Sequence, residues 1–243
     1  MSQRHSLASL LLSASAVALF AASAASAHGP SWEGDLLDDA KDKPNTAQGV
    51  TTGGPITSIT GTLGSYPLAG GGVDLVDMYL IRLENPGLLK ISTFGSSFGG
   101  SAAFDSQLFL FRATGAPGSM KALGLLANND GDDGSTGSLI GPAATDGSGF
   151  IVDAPGLYFI AIAAFGVNPF TTGGDPIWGA LNVPGQVRFG NQAELVDWAA
   201  GGQSPGGSYT ISIAGFSGNA VPAPGALALL GLGGLAGRFK RRR

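Results

Sequence analysis

The stretch ANNDGDDGS at 127–135 crowds oxygen donors into one turn. Asn129, Asp130, Asp132 and Asp133 stand beside glycines that permit a tight bend, and neighbouring strands could add Asp74, Asp77 or Asp105. Carboxylate, carboxamide and carbonyl oxygens that converge in this way suit a hard cation such as Ca²⁺. No glutamate closes the segment, so the spacing is not that of an EF-hand. Asp, Asn and Gly are equally the ordinary formers of solvated turns. The segment therefore reads either as a solvated turn or as a calcium site, and calcium is the one cofactor the sequence suggests.

Other chemistries find little material. The chain has two histidines, His5 and His28, both near its start, and no cysteine. A Ser-His-Asp hydrolase lacks its base, zinc sites of the His/Cys type lack their ligands, and thiol chemistry has no thiol. Carboxylate-pair glycoside hydrolysis needs two facing carboxyls in one cleft, but the aspartates sit mostly in turns and the only glutamates are Glu33, Glu84 and Glu194. No phosphate-binding glycine motif precedes a helix pattern. Between the two ends, residues 28–237 hold seven basic and 17 acidic side chains, a net charge of −10. That balance excludes a nucleic-acid footprint and favours cations as partners. Trp178 and Trp198 would offer a carbohydrate platform if they were exposed and coplanar, and a packing role if buried.

The elements that must carry these residues read as strands. Forty-one glycines and 14 prolines are costly in helices and frequent in turns. Strand-like runs separated by turn signals occur at ITSITGTL (56–63), VDMYLIRL (76–83), LLKISTF (88–94) and SQLFLFRA (106–113). They continue at LGLLAN (123–128), GFIVD (149–153), LYFIAIAAF (157–165) and YTISIAGF (209–216). Alternation places Tyr79, Ile81, Leu108, Leu110, Ile160 and Ile211 on inward faces. This spacing predicts an all-β, jelly-roll-like antiparallel β-sandwich. The stretch between Phe165 and Tyr209 is an excursion with a short helical possibility at AELVDWAA (193–200), and packing is its expected role.

The ends have their own logic. Residues 1–27 join a short basic start to an apolar stretch and close on Ala25-Ser26-Ala27, the small-residue site of a secretory signal, with the mature chain expected to begin at His28. Residues 28–55 read as an acidic linker or entry segment, residues 56–218 as the sandwich domain, and residues 219–243 as a C-terminal segment. There a short apolar, glycine-rich run is followed by Arg238, Lys240, Arg241, Arg242 and Arg243, which the positive-inside rule would hold on the cytoplasmic side. The run is short for a comfortable membrane helix, as in cleavable anchor signals.

With Pro222-Ala223-Pro224 ahead of the short membrane segment and the arginine-rich end, residues 221–243 resemble the PEP-CTERM sorting signal of bacterial exported proteins, here with alanine at the centre of the motif. The resemblance implies signal peptidase and an exosortase-type protease as partners, contact with the membrane before processing, and delivery to the cell surface or extracellular matrix. The body is similar to pre-peptidase C-terminal-like domains through VDLVDMYLIRLENPGLLKIST (73–93), FDSQLFLFRATG (104–115), LLANNDGDD (125–133) and DAPGLYFIAIAAFG (153–166). That resemblance implies a jelly-roll-like sandwich, some of whose members bind calcium or extracellular polymers. The expectation is an exported, noncatalytic surface or matrix protein; the alternative is a carbohydrate- or exopolysaccharide-binding module that depends on calcium.

Overall fold

The computed structural model describes residues 40–49, 54–64, 74–131, 135–200 and 206–218. The signal segment with Ala25 and Ala27, the turn residues Asp132 and Asp133, and the C-terminal motif with Pro222, Ala223, Pro224 and the basic cluster lie outside the described residues.

The described chain is almost entirely strand and turn. Its first strands are β1 (Gln48–Gly49), β2 (Ser58–Thr62), β3 (Val76–Leu83), β4 (Lys90–Ser92) and β5 (Ser101–Ala102). The middle of the chain supplies β6 (Ser106–Thr114), β7 (Lys121–Asn128), β8 (Leu139–Ile140), β9 (Gly156–Ala164) and β10 (Val167–Phe170). Last come β11 (Arg188–Phe189), β12 (Asp197–Ala200), β13 (Ser208–Ala214) and β14 (Phe216–Ser217). The large sheet runs β1-β3-β9-β6-β7-β11, with β14 also on β3; the smaller runs β2-β13-β4-β8, with β5 on β13. Pairing is antiparallel except where β1 joins β3 in parallel.

Register fixes which side chains meet. Tyr79 pairs with Ile160 and Ile160 with Leu110, so these residues, with Ile81 and Leu108, line one face of the large sheet. Ile211 and Tyr209 of β13 belong to the same core from the smaller sheet, and all six expected inward residues are fully buried. A one-residue slip would move this whole set away from the smaller sheet to the opposite face, so packing between the two sheets specifies the register.

The large sheet is buried on its second face as well. Met78, Ala161 and Phe109 form one row there, and Leu80, Phe159 and Phe111 the next. Trp178 and Trp198 pack on Phe109 and Phe111, with centroids 5.3 to 6.2 Å apart and planes inclined by 46° to 81°. The excursion therefore covers the sheet, which explains why β6 and β9 read as unbroken apolar runs.

Two expectations need correction. AELVDWAA is not helical: Leu195 N–H donates to Ala122 O, Val196 N–H to Phe170 O, and β12 pairs with β10. Two open strand edges claim those backbone groups, and tertiary pairing overrides local propensity. GFIVD forms no strand; Ile151 makes an isolated bridge to Ala143 and is 57% exposed. Gly147 and Gly149, at φ 87° and 71°, turn the chain too sharply for a ladder. Residues 40–49, inside the linker or entry segment, dock on the large sheet through β1 and the buried Ala40, and Trp198 Nε1–H donates to Asp42 O at 2.7 Å.

Candidate functional site

Adjacent strands of the large sheet bring three acidic or amide positions to one end. β3 begins just after Asp74, β9 ends at Ala164, β6 begins just after Asp105, and β7 ends at Asn128. Phe165 N–H donates to Asp105 O at 2.9 Å, and Ala164 N–H to Leu75 O at 3.2 Å, which ties the strand ends together.

Asn128 builds the turn. Its Oδ1 accepts from Leu139 N–H at 2.8 Å, and its Nδ2 donates to the carbonyls of Asp130 and Gln186 at 3.1 and 3.0 Å. The Ser138 hydroxyl sits 2.6 Å from the carbonyl oxygens of both Ser106 and Asn129, and Thr93 Oγ1 is 2.8 Å from Ser106 Oγ. Gly131 lies where the Phe94 ring leaves no room for a side chain, a Cβ falling 1.8 Å from its Cε2. Neutral hydroxyls and one carboxamide therefore hold the backbone, and the carboxylates are left for other work.

Asp105, Asn129 and Asp130 are the residues brought together. Asn129 Nδ2 donates to Asp130 Oδ2 at 2.7 Å, while Asn129 Oδ1 and Asp105 Oδ1 are buried with no hydrogen-bond partner among the described residues. Burial pushes the Asp105 carboxyl above the ordinary aspartate range, and the Asp130 charge adds to that push. Burial raises Asp130 too, partly offset by the hydrogen bond from Asn129. Buried oxygens without donors, beside two carboxylates in a repulsive setting, fit a hard cation.

The other expected ligands sit elsewhere. Asp74 Oδ1 accepts from Val76 N–H at 3.3 Å and belongs to the start of β3, which β9 separates from β6. Two strand spacings are about 10 Å. Asp77 faces the core between the sheets, where Tyr209 donates to its Oδ2 at 2.6 Å. Among the described residues no three carboxylates or histidines converge.

The tryptophans do not make an open platform. Trp178 is 4% exposed and its Nε1–H donates to Arg188 O at 3.0 Å, while Trp198 is half-buried. This is the buried arrangement that goes with packing. Sequence reasoning missed Gln107, a buried carboxamide in a strand whose alternate positions are Phe109 and Phe111. An amide inside an aromatic row was the available signal.

Fold and site together define an all-β protein whose two main sheets enclose a core and carry an oxygen-rich turn at one end. The chain matches no family model, no curated protein and no solved structure.

Proposed function

We propose that this chain is an exported, noncatalytic β-sandwich of jelly-roll-like form, displayed at the cell surface or in the extracellular matrix and sorted through a PEP-CTERM-like C-terminal segment. One observation carries the structural side of this reading. Gly218 N–H donates to Gly54 O at 3.1 Å and Pro55 bridges Ser217, so the chain leaves the sandwich beside the point where residues 54–55 enter it. A body closed in this way keeps its core independent of a tail attached after residue 218. Cleavage or anchoring of that tail then leaves the sandwich intact.

The sequence supplies the rest: the A-x-A site at Ala25 and Ala27, the Pro222-Ala223-Pro224 turn, the short apolar run and the basic end. Signal peptidase and an exosortase-type protease are the partners during export. Calcium at Asp105, Asn129 and Asp130, completed by Asp132 and Asp133, would neutralise part of an acidic body. The noncatalytic reading is supported by the lack of any histidine after His28.

Mass spectrometry of the surface-exposed protein tests the reading at both ends. The expected product begins at His28 and lacks Arg238 to Arg243. Recovery of intact RFKRRR would overturn cleavage and leave a permanent membrane anchor.

A further inference from the structure

Beside the acidic turn, on the face of the large sheet that Trp178 covers, lies a cleft of about 290 Å³. Its walls include Gln107, Phe165, Asn168, Pro176, Trp178 and Asn182, and none of its lining residues is ionisable. Gln107 is 2% exposed. Its Oε1 accepts from Gly166 N–H at 3.0 Å, which leaves the Nε2 amide as the group Gln107 can offer to the cleft it lines. The side-chain amides of Asn168 and Asn182 are unengaged among the described residues. At the tip of the β9–β10 turn, Phe165 is 45% exposed although it is a large apolar ring.

We infer that this cleft binds a neutral sugar ring, held by the carboxamides of Gln107, Asn168 and Asn182 against Phe165. Amide donors that line a cleft partly shielded from water gain from a ligand acceptor placed there. Carboxamides both donate and accept, which matches hydroxyl groups that do the same. The exposed phenyl face suits the C–H face of a pyranose, since ligand sites pair apolar area with a few placed polar groups. A charged ligand has no counter-charge in the lining, and the acidic body repels anions. The cleft sits at the small end of ligand pockets, about 300 to 1,000 Å³, so it takes one ring of a polymer rather than a length of peptide. The inference does not use the C-terminal segment, so failure of the sorting test would leave it standing.

The test titrates the purified full chain with the methyl glycosides of glucose, galactose, mannose and N-acetylglucosamine, read by saturation-transfer NMR and tryptophan fluorescence. Methyl glucuronide and tetraglycine serve as the charged and peptide comparisons. At least one neutral glycoside should bind in the millimolar range, and more tightly than the glucuronide. Phe165→Ala and Asn182→Ala, both at exposed positions, should each weaken it about tenfold or more, some 1.4 kcal/mol, without moving the melting temperature. Leu88→Ala, past the other end of β3, should bind as wild type does. No binding by any neutral glycoside, unchanged affinity in both cleft variants, or preference for glucuronide or tetraglycine would overturn the proposal.

Discussion

Tyr209 on the smaller sheet donates its phenolic proton to Asp77 Oδ2 on the large sheet, 2.6 Å away, and Tyr79 shares a hydrogen bond with the same hydroxyl. The contact crosses the core between the sheets, where all three side chains are buried. Tyr209→Phe keeps the ring and removes the hydroxyl that faces a buried carboxylate. The expected loss is about 1–3 kcal/mol, the cost of withdrawing a partner from a buried polar group. Urea unfolding measures it, and an unchanged midpoint would show that the bond contributes nothing across the sheets.

Leu110 and Ile160 face each other in paired strands at the centre of the same core. Truncating either to alanine should cost about 2–5 kcal/mol, the range for large apolar side chains whose cavities do not collapse. The two are direct neighbours, so the double variant should depart from additivity. Negligible loss in both single variants would contradict the enclosed core.

The sequence showed most of the large sheet but little of what covers it. VDMYLIRL coincides with β3, and alternation alone identified Tyr79, Ile81, Leu108 and Leu110 as inward. Periodicity reports one face at a time, however, and could not say that Phe109 and Phe111 face a second layer of tryptophans. The edges that recruit residues 193–200 are long-range partners, invisible to local propensity. In the site, Asn129 and Asp130 were legible as turn residues, whereas Asp105 and Asp77 looked alike as strand neighbours, and of these two Asp105 feels the Asp130 charge while Asp77 lies in the core against Tyr209. Composition gives the donor type; only the sheet order gives its neighbours.

Gly124 illustrates what the covering layer demands. In the middle of β7, a side chain there would meet Ile177 Cγ2 at 2.4 Å and the Trp178 ring at 3.1 Å. Gly124→Ala should therefore push the Trp178 segment off the sheet, costing about 1–3 kcal/mol as overpacking does. Tryptophan emission should shift to the red as the indole gains water. A variant with wild-type stability and emission would show that the excursion yields without cost.

The acidic turn makes a prediction whose sign depends on the cation. Because burial raises both Asp105 and Asp130, each binds its proton more tightly in the folded chain than in the unfolded one. Without metal, their contribution to stability is complete below the unfolded aspartate value of about 3.9 and is lost as pH rises through the raised folded values. At neutral pH in chelator, Asp130→Asn removes that unfavourable charge and keeps an oxygen for Asn129, so the variant should melt above wild type. The advantage should shrink on acidification to about pH 4 as the wild-type carboxyl takes up its proton. Asp146 and Asp197, whose pKa values are lowered, slope the other way but do so in both proteins, so the comparison cancels them. Millimolar calcium should reverse the order, because an ion bound only to the folded state raises the wild-type midpoint and the variant has lost a ligand. A wild-type midpoint unmoved by calcium would make the segment a solvated turn. An equal calcium shift in Asp130→Asn would place the ion at other oxygens.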